Sequence, residues 1–152
     1  MSLLLPPIIG RPEASDRPWN LLLGAPETAG AAMLGSGVLP PHTAGPPLHV
    51  HTHEDEAFFV CSGVLTAQFG EQRIELSAGE VIWLPREIPH AFANLSDEPT
   101  AIMSIVVPGA LSEMFREQDA YLREVDGAPD PDVLAEISMR FGVRRVATTT
   151  AW

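Results

Sequence analysis

Residues 46–63, PPLHVHTHEDEAFFVCSG, decide how the rest of the chain is read. His49, His51 and His53 occupy alternate positions, three acids (Glu54, Asp55 and Glu56) follow, and an apolar run then begins at Ala57. Alternate residues of a strand face the same side, with Cα atoms roughly 6.5–7 Å apart. The imidazoles of His49 and His51 can therefore converge on one point. His53 has the same parity but lies about 13 Å from His49 along an extended strand, so it reads as a solvated residue beside the site. Glu56, Phe58 and Val60 share a parity, which puts a carboxylate at the mouth of an inward apolar stripe. A carboxylate there needs a cation or a donor, because burying it unpaired is costly.

Outward from this stretch, short apolar runs alternate with turn signals. The runs are Ala31–Leu39, His49–His51, Ala57–Cys61, Val64–Phe69, Gln72–Leu76, Val81–Leu84, His90–Asn94 and Ala101–Val107. Pro40-Pro41, Gly45-Pro46-Pro47, Ser62-Gly63, Gly70, Gly79, Pro85, Pro89 and Asp97–Pro99 separate them. This spacing predicts an all-β sandwich or barrel over 31–108. AIMSIVV, 101–107, is apolar on both parities, as in a strand covered on two faces. Residues 1–30 form a Pro-rich arm in which Leu3–Leu5 and Leu21–Leu23 are candidate strands.

After Pro108-Gly109 the period becomes helical. Leu111, Met114, Phe115, Leu122 and Val125 form one stripe. A second helix follows, with Asp130 as N-cap, Pro131 at its first position, and Val133, Leu134, Ile137 and Phe141 on its apolar face; Gly142 stops it. The two helices occupy 109–143, and 144–152 reads as a loose tail.

Nine basic against 20 acidic residues leave a net charge of −11 in 152 residues, which disfavours nucleic acid and anionic membranes. No stretch approaches the roughly 20 apolar residues that span a bilayer. The apolar start lacks a basic n-region and is broken by Pro6-Pro7, so it reads as structural. The lone Cys61 can form no internal disulfide. A cytoplasmic protein is expected.

His90, in PREIPHAFAN, follows a rigid turn set by Pro85 and Pro89, and alternates with Phe92 and Asn94 onto one face. Imidazole nitrogens sit about 2.0–2.1 Å from a first-row metal. A His and Glu set without Cys suits one divalent transition metal among Fe, Ni, Mn, Co, Cu and Zn. The expected ligands are His49, His51, Glu56 and His90; the alternative is a metal-free polar core.

The spacing resembles the two cupin motifs. His49-x-His51, four residues, Glu56, six residues and Gly63 match the first. Gly79, five residues, Pro85, then His90, three residues and Asn94 match the second. The 15 intervening residues, 64–78, are typical of small bacterial cupins. Two turn glycines of the pattern are replaced, by Glu87 and by Ala44, and no ligand position is lost. The resemblance implies a double-stranded β-helix, a jelly-roll barrel, with the arm and the two helices appended. The C-terminal LAEISMRFGV looks like the tail of quercetin dioxygenase-like cupins.

That resemblance implies a dioxygenase-like oxidoreductase acting on a small aromatic or enolic compound, with Glu56 also serving as base. The alternatives are a non-catalytic small-molecule-binding cupin and a metal-dependent isomerase or lyase. Phe58, Val60, Leu84, Phe92, Met103 and Ile105 either line a substrate pocket or fill the barrel. His42 reads as a loop residue, Glu54 and Asp55 as a solvated turn, Glu87 as solvent-facing, Cys61 as a buried thiol and Asn94 as a turn-ordering residue. The arm and the stripe Leu111–Val125 suggest a homodimer.

Overall fold

The computed structural model describes residues 7–12, 19–146 and 152; the candidate strand Leu3–Leu5 lies outside them. Eleven strands form among the described residues. One sheet has the order β1-β2-β10-β5-β8 and the other β11-β4-β9-β6-β7, with β3 paired to β9. The first sheet contains β1 (Trp19–Leu23), β2 (Met33–Leu39), β5 (Asp55–Ser62), β8 (Val81–Leu84) and β10 (Thr100–Val107). The second contains β3 (Thr43–Ala44), β4 (His49–His51), β6 (Val64–Phe69), β7 (Gln72–Ser77), β9 (His90–Asn94) and β11 (Val143–Arg145).

The expected closed barrel does not form. The two sheets keep separate edges and face each other as a jelly-roll sandwich. Alternation along the strands supplies the filling between them. Phe58 and Val60 of β5, Leu65 and Ala67 of β6, Leu84 of β8 and Ile102 of β10 pack into one buried cluster. Burying a side chain of this size stabilises by about 1.5–3 kcal/mol.

A second cluster seals one end. Helices α2 (Leu111–Glu124) and α3 (Pro131–Arg140) bring Leu111, Met114 and Ile137 against Met33, Val106 and Val143. The stripe expected to meet a partner is thus partly spent within the chain, although Leu122 stays exposed. Asp130 caps α3 as its sequence indicates, its carboxylate accepting from the Asp132 N–H at 2.9 Å. A four-residue helix, α1 (Ala25–Thr28), interrupts the arm. The stretch read as a loose tail opens with β11 instead, which pairs with β4 and holds Val146 N–H against the Leu48 carbonyl.

Glu87 takes the left-handed backbone conformation, φ 65°, where the motif it resembles has glycine. Its N–H donates to the His51 carbonyl at 2.8 Å, so the turn survives the substitution. Ala44, the other departure, pairs with Ala93 in β3.

Candidate metal centre

β4 supplies His49 and His51, and β9 supplies His90 directly opposite His49. Glu56 reaches in from β5 of the facing sheet. The four side chains therefore meet between the sheets, and one potential ligand atom from each lies within 4.8 Å of every other. Ring centroids are 5.0 Å apart for His49 and His51, 4.6 Å for His49 and His90, and 5.0 Å for His51 and His90. Glu56 Oε2 lies 3.3 Å from His90 Nε2 and 3.9 Å from His51 Nε2. All four residues are buried.

Two backbone carbonyls orient the rings. His49 Nδ1–H donates to Pro47 O at 2.8 Å and His90 Nδ1–H to Ile88 O at 2.9 Å. Each bond leaves the Nε2 lone pair facing the cluster, the usual way an outer hydrogen bond aims a metal-binding imidazole. His90 Nε2 is buried with no hydrogen-bond partner; its contact with Glu56 lacks hydrogen-bond geometry.

Burial, reinforced by His90 and His51, pushes His49 down to about 4, and burial also lowers His51. Both rings are therefore neutral at pH 7. Burial acts to raise Glu56, but His90, His51 and His49 together outweigh it and hold the carboxyl below its ordinary range. Lone pairs and a carboxylate facing each other in a dry space repel unless a cation lies among them. The donor set therefore fits a divalent metal, and these four residues could hold one.

A cavity of about 720 Å³ opens beside the cluster, with His49, His51 and Glu56 in its wall. Of the six expected pocket residues, Phe58 and Phe92 line it, their rings 4.6 Å apart. Val60 and Leu84 pack in the core instead. Met103 and Ile105 lie on the outer face of β10, where burial alternates in favour of Ile102 and Ser104. With both parities apolar, periodicity could not say which face looked inward.

Sequence reading also missed Trp19 and Phe115, which stack at 4.4 Å in the cavity wall, and Arg144 and Arg145 of β11. The Arg-Arg pair in an otherwise neutral tail was the available signal.

The other singled-out residues divide. His53 is exposed, as expected, and lies over Gly142. His42 is exposed and pairs with Asp97 at 2.9 Å, and Glu87 faces solvent. Asn94 orders its turn, donating to the carbonyls of Leu39, Pro40 and Glu98 and accepting from Ser96. Asp55 pairs with Arg86. Glu54 is buried, and burial raises its carboxyl, so it is not the solvated residue expected. Cys61 is exposed, not buried; its parity opposite Glu56 was read correctly, but that face of β5 is open.

The family described as "Cupin domain" matches residues 36–106. No curated protein matches. Among solved structures, a cupin protein from Bacteroides fragilis aligns with TM-score 0.56 at 17% identity, over 80% of this chain and 91% of that one. A predicted oxalate decarboxylase from Thermotoga maritima aligns with TM-score 0.56 at 19% identity, over 59% and 78%. A double-stranded β-helix protein from Klebsiella pneumoniae gives 0.54 at 23%, over 66% and 84%. At such identities the likeness concerns the fold, which hosts many chemistries.

Proposed function

We propose that the chain is a cupin, its residues 36–106 matching the family described as "Cupin domain", and that it is a metal-dependent, dioxygenase-like oxidoreductase acting on a small aromatic or enolic compound. One observation carries the reading: three imidazoles and a carboxylate converge beside a largely apolar cavity of about 720 Å³. His49, His51, Glu56 and His90 are the proposed ligands. A bound ion would supply Lewis acidity and, if redox-active, a route for electrons between substrate and O₂.

The chain's own groups do the remainder. Phe58 and Phe92 wall off water and stack against a planar substrate. Glu56 is ionised at neutral pH and can take the proton of an enol or phenol placed at its carboxylate. His49 and His90 stay fixed while it does so, each tied to a carbonyl.

The test begins with metal analysis of the purified protein. O₂ uptake is then followed with flavonols, catechols and β-diketones. About one ion per chain is expected by the ligand count, with O₂ consumed on at least one class and lost in Glu56→Ala. Stoichiometric metal surviving the double change His49→Ala, His90→Ala would overturn the ligand set. Metal without O₂ consumption would hand the site to the isomerase, lyase or binding alternatives.

A homodimer belongs to the same proposal. The outer face of the β1-containing sheet carries two apolar rows. One runs from Val81 through Phe59 to Met103, and the other from Trp83 through Ala57 and Ile105 to Leu34. Neither row holds a charge, in a chain of net charge −11. Like-charged copies repel least where the surface is neutral, and β10 is apolar on both parities as if covered twice.

A further inference from the structure

The chain contains no lysine, and all nine basic residues are arginines. Several are paired: Arg86 with Asp55, Arg116 with Glu27 and Glu113, and Arg140 with Glu117. Arg144 and Arg145 pair with no acid among the described residues, although acids outnumber bases more than two to one. Both are exposed, and both line the cavity.

Their position follows from register. β11 runs antiparallel to β4, with Val143 opposite His51 and Arg145 opposite His49. Directly opposed residues share a face, with Cβ atoms about 5 Å apart. Arg145 thus rises on the same side as a proposed ligand, from the edge strand where the cavity meets solvent. A guanidinium on that side adds positive charge to a cavity whose inner end holds the proposed metal ligands, a field that favours a negatively charged occupant. A planar guanidinium is also suited to grip a carboxylate or similar group through two N–H donors. Most of the remaining wall is apolar or aromatic, with the Trp19–Phe115 stack and the Phe58–Phe92 pair, and Thr43, Ser104, Gln118 and Ser138 interrupt it.

We propose that Arg145 forms an anion subsite of the cavity, and that the substrate is an amphipathic organic anion; Arg144, opposite Val50, falls on the other face of the sheet. Its apolar or aromatic body lies among the rings, and its anionic oxygen group lies between Arg145 and the histidine cluster. This rests on the reading of the cavity as the substrate site, and it narrows the substrate class.

Two dyes with one ring skeleton test it: anionic 8-anilinonaphthalene-1-sulfonate and neutral N-phenyl-1-naphthylamine. Fluorescence titration gives Kd for each against wild type, Arg145→Gln and Arg145→Lys, at low and high salt. Arg145→Gln should weaken the anionic dye about tenfold, the scale of a lost charge-assisted hydrogen bond, and the neutral dye less than about twofold on that scale. Arg145→Lys should restore part of the loss, and salt should weaken only the anionic dye. Equal weakening of both dyes would reduce Arg145 to a packing role and overturn the subsite. So would an unchanged anionic Kd, or failure of the anionic dye to bind wild type.

Metal content measured on the same samples separates the two readings. Arg145→Gln should keep the wild-type loading. A wild type without metal that still shows the dye difference would sink the metal proposal alone.

Discussion

His49 and His51 hold their neutral forms because ionising either would place a cation in a dry space beside two other rings. That has a consequence for stability. In the unfolded chain both protonate near 6.5, whereas folded His49 resists to about 4. Above pH 6.5 the two states bind protons alike and nothing is lost. Between 6.5 and 4 the unfolded state takes protons first, and stability falls, by at most about 3 kcal/mol for His49. Glu56, held below its ordinary value of 4.5, adds a loss only at still lower pH. Urea denaturation of chelator-treated protein should therefore show a lower midpoint at pH 5 than at pH 7.5. An unchanged midpoint would mean that the rings are not buried neutral. Bound metal should be released over the same window, since protons compete for the same nitrogens.

At the level of elements, the second C-terminal helix offers a separate test. Asp130 caps α3, Pro131 opens it, and Gly142 (φ 77°) ends the turn that follows. Removing the cap by Asp130→Ala leaves the Asp132 N–H without its acceptor and should cost about 1 kcal/mol, read as a lower urea midpoint with unchanged metal content. This helix was legible because several independent signals coincide within a dozen residues. The strands Val64–Phe69, Val81–Leu84 and His90–Asn94 were legible to the residue: Gly and Pro flank the first two, and Pro89 opens the third, which the turn-ordering Asn94 closes. The two-residue β3, the four-residue α1 and the three-residue β11 were not, since segments so short carry no period. Which face of β10 looks inward was hidden for another reason: apolar residues stand on both parities, and its two hydroxyl residues, Thr100 and Ser104, are the buried ones.

For the whole molecule, the apolar outer sheet face predicts a dimeric mass by light scattering at micromolar concentration. Trp83 and Val81 are 53% and 63% exposed, so Val81→Asp with Trp83→Glu should yield a folded monomer that keeps its metal. A wild-type monomer would exclude the homodimer. A double variant that remains dimeric would move the interface elsewhere, for example to the arm, where Ile8 and Ile9 are also exposed. Among the described residues no helix is long and apolar enough to cross a membrane.

The sequence by itself determined the strand-rich fold, the cupin spacing and the four side chains that cluster, since His49, His51, Glu56 and His90 stand at fixed intervals on strands whose alternation sets their direction. Only the tertiary structure decided what surrounds that cluster. It left the sheets as a sandwich with open edges, turned Met103 and Ile105 outward, buried Glu54 and exposed Cys61. It also carried Arg145 from the chain's far end to the strand beside His49, a separation in sequence of nearly a hundred residues. The physical reason is that a local pattern sets which way a side chain points relative to its own strand, whereas its neighbours depend on which strand pairs alongside and what covers each sheet face.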